Sequence, residues 1–237
     1  MLFEIENLYK IYGNHSVKTP ALQGVSFKVA EGEFLSIMGP SGSGKSTLMH
    51  IMSLLDRPTQ GKCKFEGKSI DDFDDDELAR IRNKKMGFVF QSFNLLPKTS
   101  VFDNVRLPLV YTDFPKETQK EMVRQSLKSV GIFHRASHFP NQLSGGEQQK
   151  TAIARAIVNH PSVIFADEPT GNLDSKAGEQ IMGIFQRLND EGHTVILVTH
   201  ERYTALMAKR MILLKDGKIV SDELVKSRRY AQDGLIK

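Results

Sequence analysis

The sequence is poor in cysteine, with one, Cys63, in 237 residues. That excludes an internal disulfide and fits a reducing compartment. Long apolar runs are missing too. Stretches such as VILV (195–198) and MILL (211–214) fall far short of the roughly 18–20 residues a membrane span needs, so any membrane role has to come through a partner. The opening MLFEIENLYK carries acidic residues and no long apolar stretch, unlike a signal peptide. Excess charge is small: 32 Lys and Arg stand against 28 Asp and Glu, a formal +4. No basic stripe with interleaved aromatics is present, so no nucleic-acid partner is expected. There is no internal repeat and no low-complexity linker. Residues 48–142 hold no sustained heptads, which argues against a long coiled coil.

What is present reads as α/β. Short or alternating apolar runs predict strands at 2–6, 22–29, 34–38, 62–66, 86–90, 162–166, 194–199, 210–214 and 218–221, the last two joined by the turn pair Asp216-Gly217. Helical spacing predicts helices near 45–55, 75–84, 117–130, 145–158, 176–190 and 201–208. Strands dominate the first third, helices dominate about 100–158, and strand and helix alternate at the end, as a parallel sheet requires. The segment 92–142 reads as a mostly helical insertion. The acidic run DDFDDDE (71–77) lacks the Gly and final Glu of a calcium loop and reads as a helix start, with acids at the positive end of the dipole. The KSRRY stretch (226–230) reads as a solvated end.

Three stretches carry chemistry. In FLSIMGPSGSGKSTLMHI, residues Gly39, Pro40, Ser41, Gly42, Ser43, Gly44, Lys45 and Ser46 match G-x-x-x-x-G-K-[ST] between a strand and a helix. Glycines let backbone amides curl around a phosphate, and the helix points its positive end at the same anion. Lys45 reaches the β and γ phosphates, Ser46 holds Mg²⁺, and Thr47 stands beside them. In SVIFADEPTGNLD, an apolar strand ends in Asp167-Glu168. A carboxylate there is costly unless it has a charge to serve. Nucleotide-bound Mg²⁺ supplies one for Asp167, and Glu168 is placed to accept a proton from an attacking water. In QLSGGEQQK (142–150), Ser144 and Glu147 have capping-box spacing, yet Gly145 and Gly146 occupy the first turn, where each costs roughly 0.5–1 kcal/mol against Ala. A bare first turn at a helix N-terminus admits a phosphate.

Gly39–Thr47, Leu143–Glu147 and Val163–Glu168, in that order, resemble the nucleotide-binding subunit of an ABC (ATP-binding cassette) transporter, over about residues 2–221. The resemblance implies a P-loop core with a mixed sheet and flanking helices (about 1–91 and 159–221), an antiparallel β subdomain, an inserted helical subdomain (about 92–158) and a short tail (222–237). It implies an ATPase using ATP and Mg²⁺. Tyr12 stacks on adenine, with Tyr9 the substitute and core packing the alternative for either. Gln91 senses Mg²⁺ and water. Asn172-Leu173-Asp174 forms the D-loop, though Asp174 is equally placed to cap the helix at 176–190. His200 meets the γ-phosphate. Ser144, Gly145, Gly146 and Glu147 meet the ATP held by a second copy, so two chains close head-to-tail on two ATPs. The family also implies a separate membrane permease, whose contact lies near Gln91 and 92–110, and a cytoplasmic place on the inner face of the membrane. Where the family usually has Arg after LSGGEQQ, this chain has Lys150, which loses a bidentate fork. EFLSIMGPSGSGKSTLMHIMSLLDRPTQG and DEPTGNLDS are similar to the lipoprotein-release, macrolide-export and antimicrobial-peptide-export group, where the partner often works as a mechanical lever. They are similar also to the cell-division ATPase, the non-transport alternative.

Overall fold

The computed structural model describes residues 1–14 and 17–231. The chain opens with two long antiparallel strands, β1 (Phe3–Asn14) and β2 (Val17–Val29). Phe3, Ile5 and Leu8 of β1 are all buried although their spacing changes from two to three. A bulge between Ile5 and Leu8, with Asn7 at φ 50°, re-phases the strand. That break hides the second half of β1, so period-two alternation stops at residue 6 while the strand continues to 14. With β4 (Gln60–Phe65) and β5 (Lys68–Ser69), these strands form an antiparallel sheet ordered β2-β1-β4-β5.

The second sheet has six strands in the order β10-β9-β3-β8-β7-β6. It contains β3 (Phe34–Met38), β6 (Met86–Phe90), β7 (Val163–Asp167), β8 (Thr194–Thr199), β9 (Arg210–Lys215) and β10 (Lys218–Leu224). All pairs are parallel except β9 with β10, whose chain returns through the Asp216-Gly217 turn. The inner strands are apolar on both faces because both faces are covered. Alternate residues feed two separate cores. Phe34, Ile164, Ala166, Val195 and Leu197 face one side, with the helices α5 (Gly145–Ile157) and α6 (Ser175–Asp190). Leu35, Ile37, Phe165, Ile196 and Val198 face the other, with the antiparallel sheet and α1 (Lys45–Met52). Phe165 lies against Phe3 and Phe88 at ring separations of 6.1 and 5.7 Å. Burying such a ring stabilises by about 1.5–3 kcal/mol.

Between β6 and β7 the chain leaves the sheet for α3 (Val101–Arg106), α4 (Lys116–Ser129) and α5. Val123 and Leu127 of α4 are buried on one face, as their spacing requires. The acidic run does start a helix, α2 (Asp75–Lys85): Asp74 accepts from the Glu77 amide and the Glu77 carboxylate reaches back. The short α7 (Arg202–Ala205) follows β8, half the length its sequence suggests.

One expectation is corrected at the C-terminal end: Lys226, Ser227 and Tyr230 are exposed as a solvated end requires, but the backbone there is docked rather than free. β10 runs on to Leu224, where Arg210 holds Asp222 with two hydrogen bonds of 2.5 and 2.6 Å. Beyond it, Val225 and Arg229 donate backbone amides to Lys209 and Leu206, Arg228 Nε donates to Met207, and Gln186 of α6 clasps the Arg229 carbonyl and the Ala231 amide. These partners are remote in sequence, so composition alone gives no sign of them. Residues 232–237 lie outside the described residues.

Candidate functional site

Parallel register builds the site. Met38 pairs with Thr199, and Asp167 pairs with Val198, so the carboxyl ends of β3, β8 and β7 stop side by side. Such ends are where ligands bind open α/β sheets. The loop after β3 crosses this edge and enters α1. Gly44, the α1 N-cap, sits at φ 100°, and a methyl group there would run into the Ala21 carbonyl oxygen. Only glycine meets both demands at little cost. Lys45 is buried and donates through Nζ to the Gly39 and Pro40 carbonyls at 2.8 and 2.9 Å. Two of its three ammonium hydrogens thus brace the loop, and the third remains for a phosphate. Ser43 is 2% exposed and its hydroxyl has no partner among the described residues, an orphan inside a loop shaped for an anion.

A cleft of about 690 Å³ gathers Pro40, Ser41, Gly42, Gly44, Lys45, Ser46, Thr47, Gln91, Asp167, Glu168 and His200, with Ala21 as an addition. Burial, and after it the neighbouring Glu168, pushes the Asp167 carboxyl above its ordinary value; His50 and Lys45 pull the other way. This is a carboxylate short of positive charge. With the Ser46 hydroxyl and the Gln91 amide in the same cleft, it offers the hard oxygen donors that suit Mg²⁺. The residues therefore fit that ion.

Glu168 is held from several directions. Its amide donates to Val198 and its carbonyl accepts from Gly171, which fixes the backbone at φ 46°, a left-handed conformation that costs a non-glycine residue about 1–2 kcal/mol. Oε1 accepts from the His200 amide at 3.0 Å and lies 2.7 Å from His200 Nδ1, while Oε2 accepts from Thr199 Oγ1 at 3.2 Å. Carboxylate and imidazole thus form one aimed pair. The Gln91 side chain packs on Gly171 and donates to Asn172 Oδ1, while Asn172 Nδ2 donates to the Gln91 backbone carbonyl.

Gly39 and Ser43 of the loop do not line the cleft, and three other groups of sequence candidates stand outside it. Tyr12 stands at its margin, 41% exposed, with its hydroxyl 2.9 Å from Asp56 Oδ2. Asp174 caps α6, accepting from the Ala177 amide at 2.8 Å. The turn at Ser144, Gly145, Gly146 and Glu147 lies on another part of the surface and forms a complete capping box. Glu147 accepts from the Ser144 amide at 2.8 Å and from Arg135 Nε at 3.0 Å. The Ser144 amide foremost, then Arg135, holds the Glu147 carboxyl below its ordinary value. Neither glycine has a positive φ, so backbone conformation does not demand them. A methyl on Gly145 would stand 3.2 Å from Leu173 Cδ2, and one on Gly146 3.2 Å from Ala177 Cβ. Part of the reason for bare glycines is therefore the chain's own packing.

Sequence reading missed Thr199, Ala21, Gln149 and Arg155. Buried Gln149 donates to the Pro169 carbonyl at 2.7 Å, and Arg155 donates to those of Phe93 and Asn94. No local pattern marks these side chains, whose partners are set by tertiary structure.

A family model described as ABC transporter matches residues 22–171. The chain belongs to the ABC transporter family. Its cassette binds and hydrolyses ATP, with Mg²⁺ as the accompanying ion. An uncharacterized ABC transporter ATP-binding protein of Thermotoga maritima is 49% identical over 92% of this chain and 93% of its own length. The macrolide export ATP-binding/permease protein MacB of Bdellovibrio bacteriovorus is also 49% identical, over 94% of this chain. The chain spans only 34% of that relative's length. Among solved structures, a dimeric ATP-binding cassette in a post-hydrolysis state bound to ADP and Pi superposes with a TM-score of 0.86 at 44% identity, covering 95% of this chain and 99% of that one.

Proposed function

We propose that the chain is the ATP-hydrolysing motor subunit of a membrane permease of the export or extraction type, working as an ATP-closed pair of identical copies. The observation that carries the permease reading is a groove of about 1390 Å³ beside the Gln91 segment, lined by Phe88, Phe90, Leu107, Pro108, Tyr111 and Phe114 among others. Tyr111 is 77% exposed, Val110 58% and Leu55 52%, a concentration of bare apolar surface that marks a partner site. The groove lies on the 107–114 side of the insertion. Phe93, at the start of the 92–110 segment, packs against the core. Through a permease seated there the chain would sit on the inner face of a membrane; no described helix is long and apolar enough to cross one.

In the nucleotide site, loop amides and Lys45 receive the β and γ phosphates. Ser46, Asp167 and Gln91 would hold Mg²⁺, which when bound offsets phosphate charge. Glu168 accepts the proton of the attacking water, and His200, tied to the same carboxylate, orients it and faces the γ-phosphate. Tyr12 carries the adenine. The partner copy's Ser144–Glu147 turn and Asp174 segment close the far side, where amides at a helix end replace an arginine finger. Glu168→Gln tests this: turnover should fall by about 10²–10⁴ while ATP still drives dimer formation. Wild-type turnover in that variant overturns the mechanism.

A further inference from the structure

Tyr12 belongs to a polar cluster outside the cleft whose members no motif covers. The loop after α1, Asp56 to Thr59, is stitched onto β1 at the height of Tyr12. Thr59 donates its amide to the Tyr9 carbonyl at 2.8 Å and accepts the Ile11 amide on Oγ1 at 3.0 Å. Lys10 Nζ reaches Asp56 Oδ1 at 2.6 Å and the Arg57 carbonyl at 2.8 Å. The same ammonium stands 4.9 Å from the centre of the Tyr12 ring, covering it from one side. Asp56 Oδ2 takes the Tyr12 hydroxyl at 2.9 Å, close to the Thr47 side chain of the phosphate-loop helix. Burial works to raise the Asp56 carboxyl, but hydrogen bonds from Lys10, Tyr12 and the Arg57 amide outweigh it and hold it below its ordinary value, so it accepts these bonds as a carboxylate.

We infer that Asp56 is a positioning residue for the nucleotide base: together with Lys10 it fixes the Tyr12 ring beside Thr47, with one face backed by the ammonium and the other presented to a purine. The inference rests on Tyr12 being the base platform. An exposed tyrosine on a β-strand has free rotamers to lose, and a ring already pinned at its hydroxyl loses none of them on stacking. The ion pair therefore serves affinity for the base. The phosphate end has its own anchors.

The test compares binding of ATP and of inorganic tripolyphosphate, together with steady-state kinetics, for Tyr12→Ala, Tyr12→Phe and Asp56→Ala. Tyr12→Ala should weaken ATP binding roughly ten- to hundredfold, the usual value of one base stack. Asp56→Ala and Tyr12→Phe should each weaken it roughly three- to tenfold, with KM raised and kcat unchanged, and combining them should add nothing because they cut the same bond. Tripolyphosphate binding should be the same in all. Wild-type ATP affinity in Tyr12→Phe, or in a folded Asp56→Ala, overturns the inference while leaving Tyr12 as platform if Tyr12→Ala is weak. Wild-type affinity in Tyr12→Ala removes the platform reading itself. Tripolyphosphate binding lost along with ATP binding also overturns the inference, since the cluster would then be supporting the phosphate loop.

Discussion

Gly146→Ala separates two reasons for a bare helix start. The residue is helical, so alanine gains about 1 kcal/mol of helix propensity. Its methyl would stand 3.2 Å from Ala177 Cβ, closer than a relaxed contact, and easing that crowding costs about 1 kcal/mol or somewhat more. The two nearly cancel, so the melting temperature should move by no more than about 2–4 °C in either direction. Function should not be spared. In the proposed sandwich this turn meets the other copy's phosphate, so a methyl that holds oxygens away from the helix-end amides should cost about 10²–10³ in kcat, the usual loss for one such electrostatic contact. The assays are thermal unfolding, ATP turnover, and ATP-dependent dimerisation in a Glu168→Gln background. A variant that folds, dimerises and turns over like wild type would show that Gly146 is kept for Ala177 alone and that the turn does not face nucleotide.

Other outcomes follow from the same geometry. Asp167→Asn removes a charge that burial and Glu168 both oppose. It should raise the melting temperature by about 2–4 °C while abolishing Mg²⁺-dependent turnover; a lower melting temperature refutes the electrostatic account. Glu147 binds its proton less readily folded than unfolded. Stability owed to its ionisation is therefore complete above the ordinary glutamate value of about 4.3 and drains away as pH falls below it. Glu147→Gln should flatten that acid limb of a stability–pH curve, and an unchanged limb refutes the assignment. Tyr111→Glu with Phe114→Glu should cut co-purification with the permease and leave nucleotide binding by the cassette intact; undiminished assembly moves the partner elsewhere.

How much of this was legible in advance depended on range. The phosphate loop, the Asp167-Glu168 strand end and the Ser144–Glu147 box are each written in consecutive residues, because each is a strand, turn or cap whose physics is local. The six-stranded sheet followed from short apolar runs, and its parallel pairs from strand–helix alternation. What failed to show was non-local or out of phase. The bulge at Asn7 breaks alternation and hides half of β1. The docking of 225–231 depends on carbonyls of 206–209 and on Gln186. Thr199 matters only because β7 and β8 are neighbours in register, and Asp56 only because its loop lands beside Tyr12. Asp174 kept two readings in the sequence. Its cap on α6 is visible, and a role toward nucleotide is not exclusive of it.

Helix α5 carries the serine–glycine turn at its first residue and Arg155 near its last turn, a rod about 20 Å long. Arg155 grips the carbonyls of Phe93 and Asn94 just after Gln91, and Gln149 midway grips Pro169 just after Glu168. In the proposed sandwich, α5 would therefore carry a displacement at the Asn94 border of the groove to the glycine turn, linking the groove's occupant to the nucleotide held between two copies.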